Sequence, residues 1–214
     1  MEAMMALLLG IGLSAACGFR VFVPLLALSL FAGSGHMELA SGFEWIGSPA
    51  AMIAFAVATV VEISAYYIPW VDNALDSIAT PTAVVAGTVV TASVFTDASP
   101  LLQWSLAIIA GGGAAGAVQS LTVGTRAGSS VVTAGLGNWV VSTGEAVFST
   151  VLSVMAIVVP VVAVAVAGVV AFFGLRAGYR LLRRLFSRPK QSARGAVQDT
   201  EHPLRSAFQN GSAA

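Results

Sequence analysis

The stretch "AMMALLLGIGLSAACGFRVFVPLLALSLF", residues 3–31, carries a single charge, Arg20, in an otherwise membrane-compatible run. A membrane-crossing helix needs about 20 mostly apolar residues, so this segment can cross with some slack. Pro24 lacks the N–H that would bond the carbonyl of Arg20, so a kink or break is expected around Gly18–Arg20. The local spacing returns in "QSLTVGTRAGSS" (119–130). There Ser120, Gly124 and Arg126 repeat Ser14, Gly18 and Arg20 at a constant offset of 106 residues. The shared pattern is Ser-x-x-x-Gly-x-Arg.

The composition agrees with a membrane protein. Of 214 residues 57% are hydrophobic and 9% charged, and the mean hydropathy is +0.88. A soluble domain carries about 25% charged residues to cover its surface. Ten Lys/Arg balance ten Asp/Glu, which excludes the basic character of a nucleic-acid partner. Eight of the ten basic residues lie at or after Arg176, so the first 175 residues hold only Arg20 and Arg126. Those are the two arginines of the repeated pattern.

Further apolar segments follow. Residues 50–68 read as a second span that closes on Tyr66, Tyr67 and Trp70, side chains suited to the headgroup region. "PWVDNALDSIATP" (69–81) reads as a short polar element between prolines. Within it Asp72 and Asp76, four apart, would share a helical face. Residues 82–95 form a short third span and 101–123 a fourth, in which Gly112 and Gly116 have the spacing of close helix packing. The glycine-rich 124–146 segment reads as broken or re-entrant, and 147–175 as one long final span. The expected fold is therefore all-α: a polytopic transmembrane bundle of five or six apolar segments.

The expected organisation is a transmembrane domain at 1–186 and a disordered tail at 187–214. A second echo, "WVDNALD" (70–76) against "WVVSTGE" (139–145), pairs Asp76 with Glu145. Together the two echoes suggest an internal repeat with halves at 1–98 and 101–175. By the positive-inside rule the basic run from Arg176 is expected to put the C-terminus in the cytoplasm, and the expected location is the cell inner membrane.

The segments "LSAACGFRVFVPLLALSL", "IPWVDNALDSIATP" and "GNWVVSTGEAVFSTVLSVMAIVVPV", with the arginine-rich end, resemble an uncharacterised bacterial membrane family. That family is catalogued as domain of unknown function 4126. The resemblance covers about residues 5–186 and implies a helical membrane fold without an established activity. The family pattern would have Asn-Pro at Asn138-Trp139 and an acidic pair at Gly144-Glu145-Ala146.

An arginine at mid-membrane faces protein interior or water and has a partner. The acidic candidates are Glu62, Asp72, Asp76 and Glu145. One reading makes them clips for Arg20 and Arg126. The other has both arginines facing one cavity to bind a small anionic solute, with Gly18 and Gly124 opening the helices. Convergence of the arginines on a cavity would favour a small-solute transporter or channel. Separate consumption by separate acids would favour a non-catalytic scaffold or assembly factor. No catalytic serine has a base, Cys17 is alone, and His36 and His202 lack ligand-spaced neighbours. The expectation is therefore no enzyme, no cofactor and no metal. The expected partners are the lipid bilayer and a small anionic solute, with a homo-oligomer left open.

Overall fold

The computed structural model describes residues 2–96, 98–133 and 137–186, and no strand occurs among them. Helix α1 is Glu2–Cys17 and α2 is Phe22–Gly33; a 3-10 turn, Glu44–Gly47, leads to α3, Pro49–Ala65. Helix α4 is Pro69–Ser93. Helix α5, Pro100–Leu106, passes through a π-helical turn, Ala107–Gly112, into α6, Gly113–Thr133. Helices α7, Asn138–Val158, and α8, Pro160–Phe186, complete the described chain. The described residues up to Leu175 pack as one compact unit, and those from Arg176 belong to another. The tail expected at 187–214 lies outside the described residues.

Among the described residues four stretches are long and apolar enough to cross a membrane: Ala74–Ser93, Pro100–Ser130, Asn138–Val158 and Pro160–Ala177. Helices α1, α2 and α3 are shorter and also apolar. Val60, Ile78, Ile109 and Phe173 are mostly exposed, as suits side chains that meet lipid. The chain is a helical membrane protein.

Local chemistry sets the boundaries. The expected break in the first run is present, with residues 18–21 outside both α1 and α2. Ser48 caps α3 by accepting from the Ala51 amide at 3.2 Å, and Pro49 opens the helix where its missing N–H does no harm.

Two sequence expectations fail and one holds. The polar element at 69–81 is no separate unit, because α4 runs through Pro81 without ending. The 124–146 segment, expected to be broken or re-entrant, is indeed broken: α6 ends at Thr133 and α7 begins at Asn138. The final span at 147–175 is instead divided. Val159 leaves the helical region at φ −140°, ψ 74°, as a residue before proline tends to do, and α8 starts at Pro160.

Helix α1 runs along α4, α6 and α7. The Ser14 hydroxyl donates to the Gly87 carbonyl at 2.7 Å and shares a hydrogen bond with Thr91 Oγ1 at 2.8 Å. The π turn lies against the same part of α4. A Cβ built on Gly111 would fall 2.2 Å from Thr91 Oγ1 and 2.6 Å from the Gly87 oxygen. Glycine thus lets the backbones touch and the small polar groups bond across them. Gly112 and Gly116 face Val84 of α4, in keeping with their reading as packing residues. On α7, Ser149 donates to the Ala16 carbonyl at 3.0 Å, which ties that helix to the end of α1.

Candidate functional site

Helical periodicity turns the few charges inward. Residues Val118, Gln119, Thr122 and Arg126 form a buried stripe on α6, and Ser142, Glu145, Ser149 and Leu152 form one on α7. The α1–α2 break contributes Arg20, the end of α3 contributes Glu62 and Tyr66, and α4 contributes Asp76. All of these lie in the unit Met1–Leu175.

Arg126 is gripped on two sides. Its Nε donates to Glu145 Oε1 at 3.1 Å and its Nη2 to Glu145 Oε2, while its Nη1 donates to Asp76 Oδ1 at 3.0 Å. This is the bidentate fork that arginine makes with a carboxylate. Arg20 reaches the same Glu145 Oε2 at 3.4 Å and donates through Nη2 to the carbonyl and hydroxyl of Ser142. Its other two guanidinium nitrogens, Nε and Nη1, have no acceptor among the described residues although the side chain is 0% exposed. Both guanidinium carbons lie over the Tyr66 ring, at 4.0 Å from its centroid for Arg20 and 3.9 Å for Arg126. Cation–π attraction of this kind strengthens when the partners are desolvated.

Glu62 has a different task. Its Oε1 and Oε2 accept the backbone N–H groups of Val21 at 2.8 Å and Phe22 at 3.1 Å. These donors stand at the start of α2, where the break leaves N–H groups without partners in their own helix. A carboxylate on α3 thereby caps α2. Glu62 and Tyr66 also line a cavity of about 420 Å³ whose remaining walls, from α2, α3 and α4, are almost wholly apolar. Tyr66 and Glu62 are therefore common to the cavity and the charged cluster.

The structure brings together Arg20, Arg126, Glu62, Asp76 and Glu145 of the residues expected from sequence. It does not bring in the glycines as expected. Gly18 packs against α6, where a Cβ would fall 2.6 Å from the Ala115 oxygen and 2.6 Å from Val118 Cβ. Gly124 is exposed in the middle of α6 with nothing near its Cβ position, so it opens no helix. Arg20 lies at a break and Arg126 within a continuous helix; the two Ser-x-x-x-Gly-x-Arg stretches have unlike local backbone. Asp76 and Glu145, the matched acids of the second echo, both bind Arg126. The Asp72 side chain lies outside the described residues.

Tyr66 and Ser142 join the site although their sequence context does not assign them to it. The sequence suggested that Tyr66 belongs to the headgroup region, yet it is 5% exposed and lies against both arginines. The available signal was its place one turn after Glu62, on the same helical face. Ser142, one turn before Glu145, carried the same signal.

The chain belongs to the family described as Domain of unknown function (DUF4126), whose profile matches residues 7–180. No curated protein and no solved structure matches the chain.

Proposed function

We propose that this family member carries a small anionic solute across the membrane, with Arg20, Tyr66 and Arg126 as the polar centre of its path. The observation that carries the reading is the buried Arg20 guanidinium, whose Nε and Nη1 have no acceptor among the described residues. Buried charge-bearing donors left unpaired are costly, and a carboxylate or phosphate oxygen is their natural complement. Convergence of both arginines on Tyr66, itself a wall of the cavity, supports the same reading.

Counting the interrupted α1–α2 pair as one crossing, and α3, α4, α5–α6, α7 and α8 as one each, gives six crossings with both ends on one side. The exposed Arg176, Arg180 and Arg183 on α8 favour the cytoplasmic face of the inner membrane for that side.

The test is uptake of inorganic phosphate and of small carboxylates by vesicles containing the purified protein. Uptake above that of empty vesicles, lost in a folded Arg20→Lys variant, supports the reading. A second reading, a non-catalytic scaffold, draws on Arg126, which Asp76 and Glu145 hold from two sides. Absence of uptake, together with misfolding of Arg126→Ala that neutralising its acids repairs, would favour the scaffold.

A further inference from the structure

Glu62 stands apart from the two other acids of the cluster. Asp76 and Glu145 are ion-paired with arginine, whereas both oxygens of Glu62 accept neutral backbone N–H groups. The same carboxyl group faces a cavity of about 420 Å³ walled by residues such as Phe22, Ala58, Val61, Leu75 and Ile78. Val61 and Ile78, 60% and 62% exposed, bring that cavity out to the apolar surface of α3 and α4. A carboxylate in apolar surroundings without an opposing charge in contact is disfavoured, and taking up a proton is the usual relief.

We propose that Glu62 is a reversible proton-binding site, open laterally to lipid through this cavity, whose occupancy governs how α2 is held. Uptake of one proton forms an O–H bond on one carboxyl oxygen. That oxygen changes from acceptor to donor, so the Val21 or Phe22 N–H it held loses an anionic partner. The charged and titratable groups around Glu62 are Arg20 at the break, Cys17 of α1, Tyr66 of α3 and Arg126 of α6. Asp76 of α4 and Glu145 of α7 adjoin through those arginines. An anion bound at Arg20 would draw on positive charge that otherwise faces Glu62. Solute binding and proton binding would then be coupled, and the proton would be the coupling ion. Only this coupling rests on the transport reading; the proton site itself stands on the cavity and the hydrogen bonds.

The test is labelling of the full-length protein in phospholipid vesicles by N,N′-dicyclohexylcarbodiimide, a lipid-soluble reagent that attacks protonated carboxyl groups. The modified residue is mapped by mass spectrometry across a range of pH. We expect label on Glu62 that falls about tenfold per pH unit once the carboxyl has ionised, with Asp76 and Glu145 unlabelled. Glu62→Gln should abolish the label. Should that variant fail to fold, Glu62→Asp retains a carboxyl and should still label with the same dependence on pH. A water-soluble carbodiimide should modify Glu62 more slowly than the lipid-soluble one. Absence of label on Glu62 at every pH, label independent of pH, or preferential label on Glu145 would overturn the proposal. No solute enters this experiment, so a failed anion-uptake assay and a failed labelling assay remain distinguishable.

Discussion

Arg20 and Arg126 share one aromatic ring and one carboxylate oxygen. Their guanidinium carbons lie 4.0 and 3.9 Å from the Tyr66 centroid, and both reach Glu145 Oε2. Two like charges so close together are held by the partners they share, with Asp76 on Arg126 and Ser142 on Arg20 beside these. The cluster is consequently a unit, and its members should respond to substitution as one.

The ring is tested first. Tyr66→Phe keeps the aromatic face and should change stability by less than about 1 kcal/mol, whereas Tyr66→Leu removes two cation–π contacts and should cost about 2 kcal/mol or more. Thermal melting of the purified variants in detergent distinguishes them. Equal losses in the two variants would mean that the hydroxyl, not the face, matters.

The acids should rank by what they hold. Glu145→Gln withdraws the shared carboxylate from both arginines and should cost about 3–5 kcal/mol, the usual result of stranding a buried charge. Asp76→Asn should cost less, because the Asp76 side chain is 19% exposed against 7% for Glu145 and touches only Arg126 among the two arginines. Neutralising Glu145 should rescue Arg126→Ala only in part, since Arg20 still relies on that acid. Full rescue would show that Arg20 draws nothing from Glu145.

The two glycines of the repeated pattern should behave oppositely. Gly18→Ala places a methyl 2.6 Å from the Ala115 oxygen and from Val118 Cβ, and should cost about 1–3 kcal/mol by overpacking. Gly124→Ala meets nothing and lies within a helix, so it should be neutral or stabilising by about 0.5–1 kcal/mol. Melting temperatures of the two single variants suffice, and a loss at Gly124 equal to that at Gly18 would contradict the packing described.

These contrasts also explain how far the sequence could be read. The membrane class, the break at Gly18–Arg20 and the acids that meet the arginines followed from composition, from Pro24 and from the scarcity of charge. The extents of the later helices did not. Pro81 lies inside α4 without ending it, while Pro160 divides what looked like one span. Which proline breaks a helix depends on tertiary packing that local spacing does not contain. For the same reason a shared Gly-x-Arg spacing did not guarantee a shared backbone. Tyr66 reads as an interface residue because an aromatic near the end of a span suits an interface as well as a buried cation.

The most direct measurement is equilibrium binding of labelled inorganic phosphate and of small carboxylates to the purified protein, compared with an Arg20→Lys variant of unchanged melting temperature. Lysine keeps the charge but lacks the planar fork. Saturable binding of at least one such anion, weakened about tenfold or more by Arg20→Lys, is the expected result. An Arg20→Lys protein that binds the anion as tightly as the unaltered chain, or an unaltered chain that binds none of them, would contradict it.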